Sequence, residues 1–472
     1  MINMSLLGRA DAGTNLCGET MTQIRDFTKG NITRQLIGFA WPLFLCNLLQ
    51  IVYNMVDMIV VGKVVGTVGL SAVAIGSDVT LLLTFLSMGF SNAGQVLVAR
   101  LIGGGSRQEL GRFVGTMAAF LFVCAVAVSV VSLLLQDQLL SLMNTPTQAY
   151  EGAMAYSTVC MVGIVFIYGY NGISAVLRGM GDSIHPLIFV AVAAGLNLVL
   201  DLVLVWGLQW GPFGAAVATV FSQGISFLSC AVFMFRRRAQ FELNIQPGDF
   251  LHPDRKMLAD LVKLGLPMAL KSASVQISKM FVNAWINSYG IAVSAFAGIT
   301  GKLSTTANLV SNAMSITGST MVGQNIAAGE YGRVNQVLLR LLVITTTVAG
   351  AMSLVMCLFP RQVVALFADT GDAGVMALVD GYVPIAVIYF LGSGWRGVLN
   401  ALINGSGNHR INFVTALLDG VVMRIGLSVL FGLVLDMKHY GFWLGDALAG
   451  FTIVGVGIVY YLSGRWKNKR LC

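Results

Sequence analysis

Charge is what this sequence has least of: Asp, Glu, Lys and Arg make up 11% of its 472 residues, against about 25% in a soluble globular domain. Histidine is scarcer still, with four residues, and no pair of them stands at metal-ligand spacing. The seven cysteines (Cys17, Cys46, Cys124, Cys160, Cys230, Cys357 and Cys472) are scattered and form no Cys-x-x-Cys pair, so they outline neither a redox centre nor a metal site. There is no nucleophile elbow and no phosphate loop; Gly103-Gly104-Gly105 reads as a helix end beside a turn. These absences argue against an enzyme. The first thirty residues also lack the basic, apolar, small order of a cleaved signal peptide, because Asp11, Glu19, Arg25, Asp26 and Lys29 run through them. Residues 1–35 are expected to be a cytoplasmic lead-in.

What the sequence has is apolar length. It is 56% hydrophobic with a mean hydropathy of +0.79, and windows of roughly 20 apolar residues, enough for one bilayer crossing, recur along it. The expected spans lie near 36–60, 70–99, 111–135, 152–177, 185–208, 212–235, 261–288, 292–325, 334–358, 378–401, 411–435 and 441–463, the second and eighth being long enough to break or tilt. The fold class is therefore an all-α membrane protein of twelve transmembrane helices. A net charge of +8 could suggest nucleic acid, but the basic residues fall in alternate connections. Arg107, Arg112, Arg178, Arg236, Arg237, Arg238, Arg255, Lys256, Arg333, Arg410, Arg465, Lys467, Lys469 and Arg470 share one side, and the other has Lys63, Arg361 and Lys438. By the positive-inside rule both termini are cytoplasmic, and no nucleic-acid partner is implied.

The chain repeats itself at a shift of about 225 residues. Residues 36–42 (LIGFAWP) match 261–267 (LVKLGLP), residues 94–105 (GQVLVARLIGGG) match 318–329 (GSTMVGQNIAAG), and residues 178–182 (RGMGD) match 404–408 (NGSGN). An even number of spans per repeat gives two six-helix lobes, 36–235 and 261–463, related by a pseudo-twofold axis along the membrane normal. Such parallel repeats are one of the transporter designs, with the path between the halves. Residues 236–260 read as a cytoplasmic linker and 464–472 as a basic tail.

Ionisable groups at membrane depth are costly and need a reason. The first lobe has Asp57, Asp78 and Asp201. Gln50, Tyr53, Asn54 and Asp57 follow helical spacing on one stripe, and Asn197 and Asp201 stand four apart. Two acids in a poorly hydrated pocket could bind a proton or a small cation; as an alternative, they are helix-helix hydrogen bonders. Asp78 is open between gate and structure. The second lobe is basic, with Lys271, Lys279, Lys302, Arg396 and Arg424, and Asp419 as a possible partner. Lys271 is expected to snorkel to an interface, whereas Lys279 lies one turn before Asn283 on the presumed cleft face. At a shift of 224 residues Asp78 corresponds to Lys302, so the two could form an outer gate across the cleft; the alternative is that each contacts its own lobe.

At Pro42, Gln50, Tyr53, Asp57, Asn197, Asp201 and Thr219, and at the doubled Gly-rich turns, the chain resembles the multidrug and toxic compound extrusion (MATE) family, within it the DinF-like branch. The resemblance covers essentially residues 33–465. It implies a V-shaped pair of lobes in the cell membrane exporting small organic compounds, drug-like or toxic, in exchange for protons or sodium. It also implies a cation site of Asp57, Asn197, Asp201 and Thr219 in the first lobe, a cavity lined by Gln50 and Tyr53, and a bend at Pro42. Lys279 and Lys302 depart from family members that carry acids in the second lobe. A monomer without cofactor is expected. The competing reading is a flippase for lipid-linked oligosaccharides or lysolipids with the same two-lobe plan.

Overall fold

The computed structural model describes residues 24–143, 145–367 and 373–467, with the side chains of Asn54 and Pro247 outside that description. Most of the N-terminal segment and the last five residues of the basic tail also lie outside it. Ile32–Gly103 is a single helical stretch of 72 residues, which at 1.5 Å per residue is about 108 Å, far longer than a hydrocarbon core of roughly 30 Å. It folds back at Gly66, where φ is 77° and ψ is −168°, a backbone conformation that glycine enters without a Cβ penalty. The sequence leads to an expected break near 60–70, and the structure makes it with one residue: α1 is 32–65 and α2 is 67–103.

The remaining spans are α3 (Leu110–Leu134), α4 (Thr147–Gly179), α5 (Ile184–Asp201, continuing to Gly207), α6 (Gly211–Arg236), α7 (Arg255–Asn287), α8 (Ile291–Ala328), α9 (Tyr331–Leu358), α10 (Ala373–Gly405), α11 (His409–Val434) and α12 (Lys438–Leu462). Nine stretches among the described residues are long and apolar enough to cross a bilayer, the first being α1 with α2. The other two spans, α7 and α8, have 33 and 38 residues and are more polar, α7 through Lys256, Asp260, Lys263, Lys271 and Lys279. Large apolar side chains such as Phe122, Val123, Val131, Val162 and Val199 are exposed, the surface that lipid tails cover. The protein is thus twelve helices in two six-helix lobes. The helical connection between α6 and α7 is shorter than expected, 237–254, because α7 starts at Arg255 behind an Asp254 cap. Bonds from the Met257 and Lys256 N–H groups hold the Asp254 carboxyl below its usual range, against some burial.

The repeat is written in the backbone. Residues with positive φ recur at matched places: Gly66 with Gly290, Gly105 with Gly329, Gly181 with Gly407, Gln209 with Asp436, and Gly211 with Lys438. Their separations are 224, 224, 226, 227 and 227 residues, so the shift drifts by about one helical turn along the chain. Both α5 and α11 also widen to π-helical turns near their ends, at Leu202–Gly207 and Leu430–Val434.

The lobes meet at the end that carries the termini and the basic connections. Gln95 Nε2 donates to Thr320 Oγ1 at 2.7 Å, and Arg100 Nη1 donates to the Ser406 carbonyl at 2.5 Å. A methyl added at Gly103 would lie 2.1 Å from the Gln324 carbonyl oxygen, so α2 and α8 cross there at backbone contact. The segment before α1 straps this junction: Phe27 is fully buried, its N–H donates to Gln324 Oε1 at 2.9 Å, and its carbonyl accepts from Arg333 Nε at 2.8 Å. At the opposite end the facing parts of α2 and α8 are largely exposed or half-buried, Asp78 and Lys302 among them. The molecule is closed at its basic end, while Asp78 and Lys302 at the other are exposed.

Candidate functional site: two polar centres, one per lobe

In the first lobe α1, α5 and α6 bring Gln50, Tyr53, Asn197, Thr219, Ser222 and Gln223 to the wall of one cavity. Asp57 and Asp201 are 7% and 1% exposed and near enough to act on each other. Asp57 Oδ1 and both carboxyl oxygens of Asp201 have no hydrogen-bond partner apart from the other carboxyl group of the pair. Asn197 Nδ2 donates to Thr219 Oγ1 at a long 3.5 Å, so those groups are only loosely tied. Asp201 stands where α5 passes from α-helical to π-helical turns, a local widening that is frequent at functional sites. An ion left without a partner in the interior costs several kcal/mol, and two carboxylates side by side raise that cost further. Two such carboxyl groups share a proton or need a counter-charge. Pro42 lies buried inside α1 with helical geometry on both sides, and Asn54 cannot be placed because its side chain lies outside the described residues.

The second lobe has a cavity lined by Tyr389, Ser393, Arg396, Arg424, Asp446, Ala447 and Gly450. Arg424, 1% exposed, bonds to Asp419 Oδ1 at 3.2 Å and to Asp446. Arg396 Nη2 donates to Asn308 Oδ1 at 2.9 Å, and Asn308 Nδ2 donates to the Tyr389 hydroxyl at 2.9 Å. Lys279 is half-buried and acts electrostatically on Tyr389 and Asp446. Lys271 corrects its expectation: it donates to the Asn400 side chain across α7 and α10, so it ties helices together inside the lobe instead of reaching an interface.

Other expected residues are not gathered at either centre. Asn283 is exposed and lines neither cavity. Asp78 and Lys302 make no ion pair with each other among the described residues; Lys302 Nζ lies 5.5 Å from the centre of the Phe367 ring. Asp446, Asn308, Tyr389 and Gln223 were missed by sequence reasoning. For Asp446 the signal was present, since an acid in the middle of an apolar span meets the same criterion that marks Asp57. Asn308 and Tyr389 carry no such mark.

A model of the MatE family matches residues 42–203 and 267–430. The probable multidrug resistance protein YpnP of Bacillus subtilis (strain 168) is 28% identical over 447 residues, 94% of this chain and 98% of that protein. A superfamily transporter from Pyrococcus furiosus, described as having a binding pocket of reverse polarity, superposes with a TM-score of 0.85 at 22% identity, over 94% of this chain and 98% of that one. An outward-facing multidrug resistance transporter of the MATE family superposes with a TM-score of 0.84 at 23% identity, over 93% and 96%.

Proposed function

Because the chain belongs to the MatE family, the multidrug and toxic compound extrusion transporters, we propose that it exports organic compounds by antiport with protons or sodium. The observation that carries this reading is the pair Asp57 and Asp201, buried against each other with no basic or amide partner for three of their oxygens. A proton or a sodium ion would supply the missing charge, with Asn197 and Thr219 offering neutral oxygens beside it. Cation uptake would relieve a repulsion inside the first lobe, and so would change the relative stability of the two facing states. The basic end is assigned to the cytoplasm by the positive-inside rule, with both termini there and the protein in the cell membrane as a non-enzymatic monomer. The conformer described above would then be the outward-open one.

In that cycle Asp78 and Lys302, both now exposed and apart, are the proposed outer gate that closes when the lobes separate at the basic end. A charge swap tests it: Asp78→Lys and Lys302→Asp each impair export and the double variant recovers a substantial part. A double variant as poor as the worse single one removes the gate.

The exchange itself is tested in vesicles containing the full chain and loaded with ethidium. Imposing an opposed proton or sodium gradient should drive dye movement and dissipate that gradient. Dye movement indifferent to both gradients would overturn the antiport reading. The flippase reading has its own support in the basic second lobe, and predicts instead cation-independent translocation of a fluorescent lysolipid in the same vesicles.

A further inference from the structure

We infer that the second lobe holds a receptor for the acidic group of an organic anion, formed by Lys279 of α7 and Arg396 of α10 above the Asn308–Tyr389 pair. The inference rests on the export reading only in taking this ligand to be cargo.

Charge balance is the first argument. Four cations, Lys271, Lys279, Arg396 and Arg424, share the interior of this lobe, and the carboxylates within reach of them are Asp419 and Asp446. Both carboxylates are bonded to Arg424. Lys271 and Arg396 are held by the neutral amides of Asn400 and Asn308, which orient a cation without cancelling its charge. Lys279 has no hydrogen bond or ion pair among the described residues. Two positive charges are therefore left over at a depth where each is costly unless a counter-charge arrives.

Geometry is the second argument. Asn308 Oδ1 accepts from Arg396 Nη2 and from Ser393 Oγ, each at 2.9 Å, while its amide nitrogen donates to Tyr389. That network holds one corner of the guanidinium and leaves its Nε and Nη1 groups without partners among the described residues. Arg396 lines the cavity with Tyr389 and Ser393. A planar fork with spare donors matches the paired oxygens of a carboxylate, sulfonate or phosphate, and Lys279, which acts on the same Tyr389 and Asp446 as Arg396 does, supplies a second positive charge. Asp446 lines the same cavity and would repel an anion, but its charge is engaged by Arg424.

The acidic group could belong to a soluble compound or to a lipid headgroup, and the test separates them. Carboxyfluorescein is titrated against the purified full chain in neutral detergent by fluorescence anisotropy, with ethidium titrated in parallel. Saturable carboxyfluorescein binding is expected. Lys279→Glu should weaken it by about tenfold or more, since it replaces an attraction by a repulsion at a desolvated site. Lys279→Arg should retain it, and ethidium affinity should stay or rise in both. Lys279→Gln replaces the Glu variant if the latter loses ethidium binding as well. Displacement of the dye by lysophosphatidylglycerol but not by lysophosphatidylcholine identifies a lipid anion; dye binding that neither displaces identifies a soluble one. The inference is overturned if the wild-type chain binds ethidium but not carboxyfluorescein, or if the charge-reversed and charge-neutral Lys279 variants bind carboxyfluorescein as the wild type does. Binding needs no gradient, so failure of antiport alone would leave this result intact.

Discussion

At the 227-residue separation that pairs Gln209 with Asp436 and Gly211 with Lys438, Asn197 and Thr219 of the first lobe correspond to Arg424 and Asp446 of the second. The two pairs bridge the same helices, α5 to α6 and α11 to α12. In the first lobe the bridge is an amide and a hydroxyl 3.5 Å apart, with Asp201 one turn away and paired only with another acid, Asp57. In the second it is a buried ion pair, and the counterpart of Asp201 is Ser428, a hydroxyl that donates to the Phe442 carbonyl. A duplicated cradle has thus been completed in two ways. At this bridge the second lobe carries an ion pair within its own chain, whereas the first leaves two adjacent acids without a basic partner. On the antiport reading only the first would respond to a cation gradient.

The largest effect is expected from breaking the internal pair. Asp446→Asn leaves Arg424 with Asp419 alone in a site 1% exposed to solvent, and loss of one partner of a buried ion pair costs about 3–5 kcal/mol. Thermal unfolding of the purified protein should show a clear drop in Tm. The triple variant Arg424→Asn, Asp446→Thr and Asp419→Asn, which installs the first-lobe pair without stranding the buried Asp419, should recover part of it. An unchanged Tm for Asp446→Asn would remove the ion pair as a stabilising feature.

A smaller effect, equal in the two lobes, should come from the fold-back glycines. A methyl added at Gly66 or at Gly290 meets no atom within 4 Å, so the penalty of alanine is conformational. With φ of 77° and 113° and ψ of −168° and 172°, a region that is essentially glycine-only, Gly66→Ala and Gly290→Ala should each cost about 1–3 kcal/mol. Unequal losses would mean that the two turns are not equivalent.

The smallest effect separates the prolines. Pro42 and Pro267 are repeat mates inside α1 and α7, and each lacks an N–H that would stiffen its helix. Of the two helices, only α1 carries one of the acids proposed to couple. Pro42→Ala should slow ethidium export a few-fold with dye affinity kept, and Pro267→Ala should slow it less, on the barrier scale of about 1.4 kcal/mol per tenfold. Equal rates would remove the first helix as the moving part.

Spans, lobes and the first-lobe acids were readable from sequence because the bilayer leaves few alternatives: long apolar runs must be helices, and a buried acid stands out among them. Gln50, Tyr53, Asn197 and Thr219, carried over from a family resemblance, do reach one cavity. Gly66 was hidden because the turn it makes has no polar stretch around it. The drift of the repeat shift from 224 to 227 residues also moved equivalences. At the local shifts the counterpart of Asp57 falls at Phe281 or Val282 and that of Asp201 at Ser428. Lys271 was misread because its partner Asn400 lies in another helix 129 residues away, a distance at which side-chain pairing leaves no local pattern.

The claim that the first lobe alone exchanges a solution cation is tested most directly by measuring cation counterflow and ethidium accumulation together, in vesicles bearing wild-type, Asp57→Asn or Asp201→Asn protein. The wild type should move protons or sodium against dye. Both variants should bind ethidium, yet show neither counterflow nor accumulation above passive leak. Wild-type counterflow with concentrative dye transport in either variant would contradict the account.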